Sequence, residues 1–69
     1  MHTIIVKHAT MNRQRITKGL SIRGLADIAK LNPVTILKIE NQKSKPNPST
    51  AAKICKALGV EFDDIFEIV

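Results

Sequence analysis

"NPVTILKIEN", residues 32–41, decides how this chain is read. A proline directly after an asparagine suggests a broken helix, yet the pair is a good start for one. An asparagine side chain caps by accepting a backbone N–H one turn in, and proline at the first helical position forfeits no intrahelical hydrogen bond. The helix is therefore expected to begin at Pro33 and to end near Asn41. At about 100° per residue, Ile36 and Ile39 point to one side, flanked by Thr35 and Glu40, while Pro33, Val34, Leu37, Lys38 and Asn41 point to the other. Both sides carry aliphatic groups, and a small core buries only one of them. The second face is left for a partner.

The same start recurs downstream at Asn47-Pro48, opening a helix lined by Ala51, Ile54, Cys55 and Leu58 and stopped by Gly59. Upstream, Ser21 caps a helix in which Leu25, Ile28 and Ala29 follow the spacing of one apolar face; it ends near Lys30 and carries a helix-weakening Gly24. Thr10 is expected to cap a first helix reaching Lys18, with Gly19 closing it in the left-handed conformation. A last short helix holds Phe62, Ile65 and Phe66. At the two ends, Thr3-Ile4-Ile5-Val6 and Phe66-Glu67-Ile68-Val69 are short and β-branched or alternating, which suits strands that pair with each other. The expected class is all-α: a compact five-helix single domain over residues 1–69, extended by a two-stranded antiparallel sheet of the N- and C-terminal segments.

Charge is divided unevenly along the chain. All 11 Lys and Arg lie in residues 1–60 beside only Asp27 and Glu40, whereas Glu61, Asp63, Asp64 and Glu67 crowd into residues 61–69. A basic body favours a polyanion, and an acidic end points away from it. No apolar run approaches the roughly 20 residues of a membrane span, and the opening residues lack a secretory signal, so a cytoplasmic protein without membrane contact is expected. The single cysteine, Cys55, reads as a small buried apolar group and leaves no basis for a metal site. No cofactor is expected. An enzyme is not expected either: His2 and His8 lie in or beside the first strand, and no nucleophile sits beside a base. Single-strand or RNA binding would call for stacking aromatics, and the chain has no Tyr or Trp.

A helix from Ser21 to Lys30, a tight break at Leu31-Asn32 and a helix from Pro33 have the spacing of a helix-turn-helix, whose second helix lies in the DNA major groove; an ordinary helical hairpin has the same spacing. The residues R-x-x-K-G-L-S at Arg15 to Ser21, L-A at Leu25-Ala26 and T-I-x-K-I-E-N at Thr35 to Asn41 extend the likeness. Pro46, K-I-C-K-A-L-G-V at Lys53 to Val60 and D-D-I-F at Asp63 to Phe66 complete it. Over roughly residues 11–66 the chain resembles the Cro and phage-repressor type of helix-turn-helix regulators, the xenobiotic-response-element family.

That resemblance implies a transcriptional regulator, a repressor in the first instance, binding a double-stranded DNA operator as a homodimer. It implies base reading by Pro33, Val34, Lys38 and Leu37, and backbone contacts by Ile22, Arg23, Thr35, Asn41, Lys43 and Lys45, with the Asn32 cap at the same surface. It also implies a structural ion pair between Arg15 and Glu40. Pro33, Val34 and Leu37 have no hydrogen bonds to offer, so thymine methyl groups are their expected targets; Lys38 either donates to guanine or contacts phosphate. Val60, Phe62, Phe66 and Ile68, in the acidic end, are the expected dimer contacts; the alternative is core packing inside one subunit, which is the first expectation for Phe62 and Ile65. Three departures stand out: Ile22 replaces a frequent glutamine, and Lys30 and Gln42 stand where the family has glycine, so each of the latter two calls for a strained backbone or a slightly different turn. The rival function on the same fold is an antitoxin or anti-repressor whose main partner is another protein.

Overall fold

A computed structural model describes residues 2–69; Met1, which the single-domain expectation includes, lies outside the described residues. The elements in chain order are β1 (Ile4–Val6), α1 (His8–Thr17), α2 (Ile22–Ala29), α3 (Pro33–Glu40), α4 (Pro48–Leu58), α5 (Phe62–Ile65) and β2 (Phe66–Ile68). Three helix starts follow from their capping side chains. Ser21 Oγ accepts from the Gly24 N–H at 2.9 Å, Asn32 Oδ1 from Val34 at 2.8 Å and Asn47 Oδ1 from Thr50 at 2.8 Å. Pro33 and Pro48 stand in the first turns that follow. Gly24 is explained by the same cap, since a Cβ at that position would lie only 3.3 Å from Ser21 Oγ.

The first helix departs from expectation. It starts at His8, with Lys7 as the residue before it, and Thr10 lies inside the helix with no capping role. Tertiary bonds override the local signal: the Lys7 N–H donates to the Ile65 carbonyl at 2.7 Å and its Nζ to the Asp63 carbonyl at 2.8 Å. These turn the chain out of β1 before Thr10 is reached.

Helix α2 packs against α3 and α4, α1 against α3 and α5, and α4 against α5. Met11, Leu25, Ile36, Ile39, Ile54, Leu58, Ile65 and Phe66 meet at the centre, each large aliphatic group contributing about 1.5–3 kcal/mol by leaving water. The buried line of α2 is Leu25, Ala26 and Ala29. Ile28, expected on that line, is 55% exposed. The buried arc runs through Ala26 and leaves Ile28 on its outer side.

The terminal segments pair antiparallel, Ile4 with Ile68, Ile5 with Glu67 and Val6 with Phe66. Thr3 and Val69 extend the ladder by exchanging backbone hydrogen bonds of 2.9 Å in both directions. Val6 and Phe66 form the inward pair of this sheet. Phe66 therefore opens β2 and does not belong to α5, and at 1% exposure it is core. Its ring is packed in the core of its own chain, which leaves almost no surface for the dimer contact expected of it.

Candidate nucleic-acid interface

The link between α2 and α3 is short, running only from Lys30 to Asn32. Lys30 takes the left-handed conformation (φ 58°) and the Leu31 N–H reaches back to the Ala26 carbonyl at 2.9 Å, closing α2. The next residue, Asn32, already caps α3. With so few free dihedrals, the angle between the two helices is set by hydrogen bonds and by Leu25, Ile36 and Ile39 packing beneath them.

Helix α3 divides as its spacing demands. Ile36, Ile39 and Glu40 turn inward. Val34 (54% exposed) and Leu37 (47%) turn outward, joined by exposed Lys38 and Asn41, with Pro33 and Thr35 half-buried beside them. Asn32 is exposed, but its side-chain oxygen is engaged by the cap, which leaves only its amide donors free. In α2, Arg23 is exposed at the first turn, whereas Ile22 is half-buried and packs against the edge of the core. What Ile22 still offers a phosphate is its backbone N–H, which at a helix N-terminus has no intrahelical acceptor.

A polar seam fixes the far end of α3. Glu40 is 7% exposed, and Arg15 binds it with two N–H groups, Nε to Oε2 at 3.0 Å and Nη2 to Oε1 at 3.0 Å. Arg15 Nη1 also donates to the Leu20 carbonyl at 2.7 Å, so one side chain joins α1, the α1–α2 loop and α3. Asn12 adds a bond to Glu40 Oε1, and the Gln42 side-chain amide meets His8 Nδ1 at 2.6 Å. Asn12 and His8 were not foreseen as partners. The available signal is their spacing with Arg15, since residues 8, 12 and 15 share one face of α1.

Beyond α3, the N–H groups of Lys43 and Ser44 both return to the Lys38 carbonyl, at 2.8 and 3.3 Å. The loop thus leaves the helix in a fixed direction, and Lys43 and Lys45 project from it, both exposed. Among the described residues the one ion pair is Arg15–Glu40, so Arg23, Lys38, Lys43 and Lys45 keep their charge available. At the acidic end, Val60 and Phe62 are half-buried against the core, Phe62 lying 5.4 Å from Phe66 between ring centroids, and Ile68 is 58% exposed.

Cys55 is buried in α4. Burial pushes its thiol pKa above the ordinary value, and the nearby Asp64 and Glu61 carboxylates push it the same way. Among the described residues no three His, Cys, Asp or Glu side chains come together as a metal-binding group. Among the described residues no helix is long and apolar enough to cross a membrane.

The family model for helix-turn-helix proteins matches residues 11–65. The chain belongs to the Cro/C1-type helix-turn-helix family. As a helix-turn-helix protein it is similar in fold to the restriction-modification controller protein C.AhdI from Aeromonas hydrophila, with a TM-score of 0.78 at 23% identity over 83% of this chain and 86% of that one. Two crystal structures of the clp gene regulator ClgR from Corynebacterium glutamicum give TM-scores of 0.75 and 0.73, both at 26% identity and over 83% of this chain. The matched region spans 61% of the first ClgR chain and 74% of the second. A comparison with curated protein sequences finds no match. Family and fold are those of DNA-binding transcription regulators.

Proposed function

We propose that residues 1–69 act as one DNA-binding domain, a repressor that binds an operator as a homodimer in the cytoplasm, with α3 in the major groove. One observation carries this reading: the outward face of α3 presents Val34, Leu37, Lys38 and Asn41 to solvent while its other face is locked into the core and to Arg15. Val34 and Leu37, with Pro33 at the helix start, contact thymine methyl groups, and Lys38 donates to guanine O6 and N7. Arg23, Thr35, Asn41, Lys43 and Lys45 hold phosphates, joined by the backbone N–H of Ile22 and the Asn32 amide; these contacts fix register and supply affinity without sequence information. Val60, Phe62 and Ile68 lie at the end that meets the second copy.

The antitoxin or anti-repressor reading draws on the same exposed aliphatic groups of α3, which would also suit a protein partner. A binding titration against the DNA upstream of the protein's own gene, over a salt series and with a scrambled competitor, separates the two. The DNA reading requires a specific complex that weakens steeply with salt. In the same assay Lys38→Ala is expected to lower affinity for the operator more than for scrambled DNA. An equal loss on both sequences removes Lys38 from base reading, and the absence of any specific, salt-sensitive complex favours the protein partner.

A further inference from the structure

Between α2 and α4 runs an open groove of about 480 Å³ lined by Ile28, Ala29, Lys30, Lys53, Lys56 and Ala57. Its aliphatic residues lie among three lysines, none of them in an ion pair. No residue assigned above to DNA lines it, and an exposed isoleucine adds nothing to a phosphate contact. Lys30 is informative a second way. Its left-handed backbone (φ 58°) would suit glycine better, so the turn gives up stability and gains a cation at the groove.

The matching chemistry is carried by the chain itself. Glu61, Asp63, Asp64 and Glu67 are exposed at the acidic end together with Ile68 and Val69. Helix α4 packs on both α2 and α5, so groove and acidic end both adjoin that one helix. Two acidic ends placed face to face would set like charges together, which is repulsive; the groove offers the opposite charge and an aliphatic surface. We infer that the homodimer forms by each copy docking its acidic end in the α2–α4 groove of the other, exchanged by a twofold axis passing beside α4. This rests on the homodimer reading and names the surface that reading leaves open.

Charge exchange tests it. Lys53→Glu with Lys56→Glu makes the groove acidic, and Asp63→Lys with Glu67→Lys makes the end basic; all four positions are exposed. Sedimentation equilibrium of the full chain should show each variant dimerising about tenfold or more weakly than wild type. An equimolar mixture should recover wild-type association, because both contacts of the mixed dimer then pair opposite charges. Circular dichroism verifies that each variant is folded. A wild-type chain that stays monomeric defeats the homodimer reading and this inference with it. Variants that dimerise normally, or a mixture that recovers nothing, overturn the groove as the dimer surface while leaving the homodimer intact.

Discussion

Replacing Glu40 by alanine is expected to cost roughly 3 kcal/mol of stability. An exposed ion pair would be worth about 0–1 kcal/mol, but the Arg15 and Glu40 side chains are only 12% and 6% exposed. Removing one partner of such a pair leaves the other charge desolvated, at about 3–5 kcal/mol in a full interior. The lower end applies here because Arg15 keeps its bond to the Leu20 carbonyl. A domain of this length has about 3–10 kcal/mol in all, so the change consumes a large part of it and lowers Tm by on the order of 12–24 °C. Urea and thermal unfolding followed by circular dichroism measure both quantities. Arg15→Met combined with Glu40→Leu should regain more than half of the loss, since an apolar pair of similar volume carries no stranded charge. A cost below about 1 kcal/mol for Glu40→Ala, or a double variant no more stable than the single one, would refute the buried-pair account.

Lys30→Gly relieves a left-handed backbone and should raise stability by about 0.5–1 kcal/mol in the same unfolding assay. Gln42→Gly relieves a similar φ of 61° but gives up the bond to His8, so its gain should be the smaller of the two. The raised Cys55 pKa has a defined sign: the folded state holds the thiol proton where the unfolded state releases it. Its contribution is complete below the ordinary thiol value of 9.0 and is lost as pH rises from there through the folded pKa. Cys55→Ala should therefore flatten the alkaline fall in stability, and wild-type Cys55 should react with iodoacetamide far more slowly when folded than when unfolded in urea. Lys43→Ala with Lys45→Ala should reduce the slope of log affinity against log salt by about 0.9 per lost contact, read by fluorescence anisotropy; an unchanged slope takes both lysines off the DNA.

Local chemistry made most of the fold legible. Ser21, Asn32 and Asn47 bind backbone N–H groups within their own first turn, so three helix starts depend on no distant residue. Gly19 and Gly59 were equally readable because each stands where a helix must stop, whereas the positive φ of Lys30 and Gln42 was signalled only by the glycines the family has there. Features set by distant contacts were less so. Thr10 gave way to Lys7 because carbonyls more than fifty residues away along the chain turn it first. Ile28 falls outside the buried arc because α2 turns Leu25, Ala26 and Ala29 inward, which depends on where its neighbours pack. In the candidate interface, the outward face of α3 followed from helical period, whereas Asn12 and His8 as supports for its end depended on how α1 crosses α3. For Phe66, an acidic neighbourhood in sequence says little about a ring that the sheet turns inward.

The pairing of β1 with β2 also determines how the molecule answers to force. Thr3 and Val69 sit side by side at the open end of the ladder, so tension applied through flanking chain at both ends loads one hydrogen-bonded pair at a time, as a zipper opens, and never shears the whole sheet at once. The inward pair at the other end of that ladder is Val6 and Phe66, both members of the hydrophobic core. Once the three outer pairs have opened, the fourth to part is Val6 with Phe66, and the core opens with it. The mechanical weak point of the domain is its seam, far in sequence from the helix proposed to read DNA.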